Sequence, residues 1–292
     1  MVCDICPRRC HAVRTVDRGD GYCRMPEHPV LARADLHMWE EPPISGSRGS
    51  GTVFFSGCSL GCVFCQNEEI SHRDFGKPVS TERLGEICDQ LVERGAHNIN
   101  FVTPTHYAHT VIKLLDEHPL PVPVVYNCGG YERLETLNAL AGKVDIYLPD
   151  LKYMDASAAA RYSDAPDYPE IATAAIQQMA EQVGSCEFDE NGLLKRGIII
   201  RHLLLPGQLN GAKAAMDWAA ENFAPGQVLF SLMSQYTPWG RAAEFPEIDR
   251  TLRAGEVRAA REYMDNLGLD GFVQERDSVG RQYTPNFDLT GI

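Results

Sequence analysis

The chain is short of positive charge. Its 292 residues carry 27 Lys and Arg against 40 Asp and Glu, a formal charge of -13, which works against non-specific attraction to phosphate backbones or anionic lipid. No nucleic acid and no membrane partner is expected. It also lacks any apolar run approaching the length of a membrane-spanning helix, and its first ten residues, MVCDICPRRC, contain no apolar signal core. A cytoplasmic location is therefore expected. Apolar material as such is plentiful: 44% of the residues are hydrophobic, ample for the core of one large domain or two small ones. Ten cysteines would suit a disulfide framework in a small secreted domain, but in a large chain without a signal they point to metal binding or redox chemistry.

The cysteines are unevenly spread. One group is Cys3, Cys6, Cys10 and Cys23, and a second is Cys58, Cys62 and Cys65, within FFSGCSLGCVFCQN. Cys88, Cys128 and Cys186 are isolated, and Cys88 falls on the apolar face of a helix as a small core residue.

The rest of the chain alternates. The strand-like GTVFFSG is followed by STERLGEICDQLVERGA, in which Leu84, Ile87, Cys88, Leu91 and Val92 recur at helical spacing, with Ser80 or Thr81 to cap and Gly95 to stop it. The pattern repeats with NINFV and HTVIKLLDEH, VPVVYN and RLETLNALAG, and VDIYLPDLK and a helical stretch ending near AAIQQMAEQVG. GIIIRHLLL with AKAAMDWAAENF, and QVLFSLMSQ with EVRAAREYMDNLG, complete six β/α repeats. Strands this apolar are buried on both faces, so a parallel sheet with helices outside it is expected, either open or closed toward a barrel. Asn191-Gly192 predicts a hairpin turn ahead of the fifth strand, and GFVQER an added edge strand.

Ligands bind at the C-terminal ends of such strands. The cysteine trio follows the first strand, and Thr103, Asn127, Asp150, Lys152, Arg201 and Gln235 fall on or after later ones. Three thiols in one short loop can hold three corners of a [4Fe-4S] cube and leave one iron open to a small molecule. A structural zinc site would need a fourth ligand from elsewhere. A packing role would not call for three reactive thiols.

The spacing Cys58-x3-Cys62-x2-Cys65, with Phe64 before the last cysteine, resembles the signature loop of radical S-adenosylmethionine enzymes. SGCSLGCVFCQN, DIYLPDLKY, RHLLLPG and the N-terminal CDICPRRCHA segment more closely resemble a branch related to pyruvate formate-lyase activating enzymes, over nearly the whole chain. This resemblance implies an α/β fold, a partial (β/α)6 TIM-type barrel over residues 51–292. It also implies a [4Fe-4S] cluster on Cys58, Cys62 and Cys65, and reductive cleavage of S-adenosylmethionine to a 5'-deoxyadenosyl radical that abstracts hydrogen. By the same resemblance the backbone near Phe64 approaches the adenine, and Asn67 lies close to the cluster. Asn127, Asp150 and Lys152 match positions that hold the ribose, amino and carboxylate groups. Thr103, within TPT, stands where relatives carry a Gly-Gly-Glu type segment, from which this chain departs. Lys152 and Arg201 suit a carboxylate, since each supplies charge-assisted donors.

Each residue also has a plainer reading. Asp150 and Lys152 could be a solvated charge pair, and Arg201 a pin to a neighbouring carboxylate. His202 points to the face opposite Arg201, as a core histidine. NCGGYE could be a simple strand-to-helix turn. Cys3, Cys6, Cys10 and Cys23 offer four thiols for a second metal, zinc or an iron-sulfur cluster, in a segment over residues 1–28. Residues 29–50, with EEPPISGSRGSG, read as a linker packed as an irregular loop. SQYTPWGRAAEFPEI, residues 234–248, reads as lining for the mouth or a docking face. The resemblance implies a protein substrate, a glycyl radical enzyme or peptide, with a small molecule as the other case, and flavodoxin or ferredoxin as electron donor. The reading from another class is an iron-sulfur electron carrier or metal-binding scaffold without turnover.

Overall fold

The computed structural model describes residues 2–274 and 285–292. In chain order the elements are β1 Val30–His37, α1 Pro42–Ser45, β2 Ser50–Phe55, α2 Glu68–His72, β3 Lys77–Pro78, α3 Thr81–Glu93 and β4 Ile99–Val102. Then come α4 Ala108–Glu117, β5 Val124–Cys128, α5 Leu134–Leu140, β6 Ile146–Pro149, α6 Ala156–Ser163, α7 Tyr168–Val183 and β7 Glu187–Phe188. The last are β8 Leu194–Leu203, α8 Leu209–Asn222, β9 Leu229–Met233, α9 Ala254–Leu267 and β10 Gly271–Gln274.

One sheet runs in the order β10-β9-β8-β6-β5-β4-β2-β1-β3, with β7 paired antiparallel to β8. Every pairing from β2 through β4, β5, β6, β8 and β9 to β10 is parallel. Its middle strands are buried along their whole length, as both-sided burial of a barrel wall demands. The helix predicted from Ser80 begins there, the Ser80 side chain accepting from Arg83 N. Cys88 is fully buried, as expected. The hairpin at Asn191-Gly192 forms, and β10 is the edge strand predicted at GFVQER, whose last two residues lie outside the described residues. Among the described residues no helix is long and apolar enough to cross a membrane.

Residues 30–37, expected within a linker, are instead a strand. Val30–His37 pairs antiparallel with β2 on one side and β3 on the other, extending the sheet past the first barrel strand. Backbone ladder bonds satisfy these residues better than an irregular surface path would. Of the following residues, 38–49, Met38 and Trp39 are exposed but the turn at Ile44 points inward. Ile44 of α1 is fully buried with Val125, Ile146, Leu148 and Ile199, the inward positions of alternate strands, and Asn98 Nδ2 holds the Ile44 carbonyl at 2.8 Å. The turn therefore plugs the barrel from the end where its strands begin.

Candidate functional site

Above that apolar floor the inward positions become polar. Asn100, Asn127, Asp150, Arg201, Ser231 and Gln274 sit on β4, β5, β6's end, β8, β9 and β10 at the two-residue period of the floor residues. Glu40 and Glu41, carried in by the plug, meet them. Glu40 Oε2 accepts from Asn100 Nδ2 at 2.6 Å and Asn127 Nδ2 at 2.7 Å. Arg201 donates from Nε to Asp150 Oδ1 at 2.9 Å and from Nη2 to Asn127 Oδ1 at 2.7 Å, and its Nη1 stands 3.6 Å from Glu40 Oε1. Lys152 Nζ donates to the other Asp150 oxygen.

Charge partners decide the protonation of this network. Burial alone would raise the Asp150 carboxyl, but Arg201 and Lys152 together hold it below its ordinary value. Burial opposes the charge on Lys152, and Asp150 with Cys62 reverses that, holding the amine above its usual range. Glu41 has weaker compensation. Burial pushes its carboxyl up to about 7, against Arg201 and the hydrogen bond from Gln274.

The cysteine loop closes the site from above β2. Gly57 opens it at φ +82°, and a Cβ there would stand 2.3 Å from Met25 Cγ and 3.1 Å from the Cys23 carbonyl, so the N-terminal segment packs directly on the loop. Ser163 Oγ donates to Cys62 Sγ at 3.0 Å and Leu60 N to Cys58 Sγ at 3.3 Å. Burial drives the Cys58 thiol far up and Cys65 up to about 11, each reinforced by Cys62. Thiols placed so favour the thiolate only when a metal supplies the positive charge.

Cys58, Cys62, Cys65, Phe64, Asn67, Thr103, Asn127, Asp150, Lys152 and Arg201 all line one cavity of about 630 Å³. The ten residues singled out in sequence thus share one space of the size small-molecule sites have. Thr103 lies there at φ +58°, an uncommon backbone state for a β-branched residue. Its N–H donates to the Asn127 carbonyl at 2.8 Å, tying the ends of β4 and β5. The donor set fits an iron-sulfur cube with a small zwitterion beside it: three thiols on a short loop, and an ammonium and guanidinium balanced by carboxylates within the same space.

The four N-terminal cysteines lie outside this lining. Cys3, Cys6 and Cys23 are buried and Cys10 is exposed. They are neighbours nonetheless, since charges on Cys23, Cys3 and Cys10 add to the burial that pushes Cys6 up to about 12. Arg8 bridges this segment to the cysteine loop, donating to the Ser59 carbonyl at 2.7 Å and the Ser163 carbonyl at 3.1 Å. Arg14 donates to Cys23 Sγ at 3.2 Å and the His106 carbonyl at 2.7 Å. Among the described residues no three His, Cys, Asp or Glu side chains converge on a point as donors to a single ion do.

His202 faces the helices, buried, with Nδ1 2.6 Å from the Leu151 carbonyl. Of residues 234–248, expected at the mouth or a docking face, Gln235 does line the cavity, while the residues after it brace the cysteine loop. Tyr236 is buried edge-on against Phe64, its hydroxyl donating to the Ile248 carbonyl at 2.9 Å, and Arg241 N donates to the Val63 carbonyl at 2.7 Å. Burying these apolar groups against the loop removes the exposed patch that the sequence suggested. Sequence reasoning missed Glu40 and Glu41. Glu132 was missed too: fully buried behind Cys128, it accepts from Tyr126 OH at 3.3 Å and from Thr105 Oγ1, and burial pushes its carboxyl up to about 8.

Residues 52–184 match the model of the radical SAM superfamily. An uncharacterized protein of Methanocaldococcus jannaschii is 30% identical over 279 residues, covering 92% of this chain and 75% of that one. Streptococcus suis SuiB in its S-adenosylmethionine-bound structure shares the fold at TM-score 0.53 and 15% identity, covering 75% of this chain. This chain spans about half of SuiB's length, 48%. Methylornithine synthase, PylB, shares it at TM-score 0.51 and 14% identity, over 80% of this chain and 66% of that one.

Proposed function

The chain belongs to the radical SAM superfamily, and from that premise we propose that it cleaves S-adenosylmethionine reductively at a [4Fe-4S] cluster held by Cys58, Cys62 and Cys65. The observation that carries this is the cavity itself, which three thiols and seven further predicted residues line together. When bound, the cluster and S-adenosylmethionine supply a 5'-deoxyadenosyl radical for hydrogen abstraction. The protein's own part is to hold and exclude. Cys58, Cys62 and Cys65 would hold the cluster by three thiolates, one fewer than its four irons. Lys152 and Arg201, kept charged by Asp150, offer donors to a carboxylate, and Asn127, Phe64, Asn67 and Thr103 border the remaining cofactor atoms. Tyr236 and Arg241 brace the loop at Phe64 and Val63.

The substrate class we favour is a protein or peptide, with glycyl radical enzyme activation the case the resemblance implies. Flavodoxin or ferredoxin would be the electron donor, in a cytoplasmic setting. Cys3, Cys6, Cys10 and Cys23 would draw together around a second metal, zinc or iron-sulfur, on binding it, and the direct packing of their segment on the loop supports that assignment. Anaerobic incubation of reconstituted, reduced protein with S-adenosylmethionine tests the main reading: wild type is expected to release methionine and 5'-deoxyadenosine in equal amounts, and Cys62→Ala neither. A full cluster without product would favour an electron carrier.

A further inference from the structure

The cavity has a second end. From the loop after β2 it reaches across the sheet to the ends of β9 and β10, where Met233, Gln235 and Gln274 face it. Glu41 sets the hydrogen-bond polarity here. Its Oε1 accepts from Ser231 Oγ and its Oε2 from Gln274 Nε2, both at 3.0 Å. In the structure Gln274 turns its amide nitrogen to Glu41 and its Oε1 to Gln235, the arrangement that an ionised Glu41 accepts. Gln235 must then donate through Nε2, which it does. The ladder leaves one group over. Gln235 Oε1 is buried and has no hydrogen-bond partner among the described residues, and a buried acceptor left unmade is unfavourable unless something completes it.

The charged groups and Asn127 around the space are engaged with one another. Asn127 serves Glu40 and Arg201, and Lys152 and Arg201 serve Asp150. Glu40 and Asp150 balance Lys152 and Arg201 around the cavity, and Glu41, where ionised, adds negative charge that favours a donor bearing partial or full positive charge. Leu203, Met233 and Trp39 supply apolar wall to the same cavity.

We propose that this end of the cavity is the substrate end and that Gln235 Oε1 receives an N–H of the substrate, from an amide or an ammonium group carried on an apolar stem. The assignment rests on the opposite end being the cofactor end. A peptide supplies the first kind of donor and an amine the second.

The test needs no turnover. Butyramide, butylammonium and methyl propionate, a probe of similar size without a donor, are titrated by ligand-observed NMR into the anaerobically reconstituted full chain without S-adenosylmethionine. At least one N–H probe is expected to bind saturably and about tenfold tighter than the ester, the discrimination one buried hydrogen bond gives. Gln235→Met is expected to erase that preference. Ser234→Ala, which removes the hydroxyl that donates to the Gln274 carbonyl and leaves the Gln235 amide in place, is expected to keep it and so reports on folding. Preference for butyramide marks an amide substrate and preference for butylammonium an amine. Equal binding of the ester, binding by none, or a preference that survives Gln235→Met would overturn the proposal. N–H-selective binding in protein that fails to cleave S-adenosylmethionine would reject the cofactor reading alone.

Discussion

Arg201 Nε lies 2.9 Å from Asp150 Oδ1 inside the barrel. The same guanidinium reaches Asn127 and Glu40, so one side chain joins three elements: the plug, β5 and the end of β6. Removing it strands two largely buried carboxylates. Arg201→Ala is expected to lower unfolding stability by about 3 kcal/mol, in line with breaking a buried pair on one side, and to weaken S-adenosylmethionine binding. Arg201→Lys should recover part of the stability but less of the binding, because an ammonium cannot serve three acceptors in one plane. Denaturant melts and equilibrium dialysis read the two effects separately.

Gly57 allows the N-terminal segment to rest on the cysteine loop. Gly57→Ala places a Cβ against Met25 and the Cys23 carbonyl at a left-handed backbone position, where an L side chain is itself unfavourable by roughly 1–2 kcal/mol. Faster proteolysis within residues 1–28 and reduced iron retention at the trio are the expected results. An unchanged digestion pattern would contradict the packing.

Ile44 is the barrel's floor. Ile44→Ala should cost about 2–5 kcal/mol, the range for emptying a fully buried aliphatic site, measured as a lower denaturant midpoint at unchanged slope. Sensitivity near zero would mean the plug is not part of the core.

Glu132 gives the fold a pH dependence of defined sign. Its carboxyl titrates at about 8 in the folded protein against an ordinary value of 4.5, so between those pH values the folded state holds a proton that the unfolded state has released. Stability contributed by this group is therefore full below pH 4.5, declines as pH rises to about 8 and is flat above. Glu132→Gln should flatten that slope. Thermal melts of both proteins from pH 5 to 9 test it: parallel curves would show that Glu132 is ionised throughout.

Metal analysis distinguishes the two cysteine groups. Cys3→Ala combined with Cys23→Ala is expected to lose the second metal, zinc or iron, while iron at Cys58, Cys62 and Cys65 persists. Equal metal content in this variant and wild type would remove the second site.

The barrel was legible because its strands are short apolar runs separated by amphipathic helices, and the trio because three cysteines within eight residues have few uses. Asn127, Asp150 and Arg201 were legible as strand-end residues in that frame. Glu40 and Glu41 were not. They stand in EEPPISGSRG, whose prolines and glycines read as a linker, and no local pattern shows that a turn folds inward to plug a barrel. Two signals were present: VLARADLH alternates as a strand does, and Ile44 is an apolar residue with no place on a solvated linker. Tyr236 was misplaced for a related reason. An aromatic after the last strand looks exposed until the loop it supports is known.

A cluster held by Cys58, Cys62 and Cys65 would keep one iron open to S-adenosylmethionine. Electron paramagnetic resonance of the reduced, reconstituted protein, recorded with and without S-adenosylmethionine, tests this most directly. A cluster signal whose g values shift on addition, and that is missing from Cys62→Ala, is the predicted result. A wild-type signal unchanged by saturating S-adenosylmethionine would show that the cluster has no iron open to it.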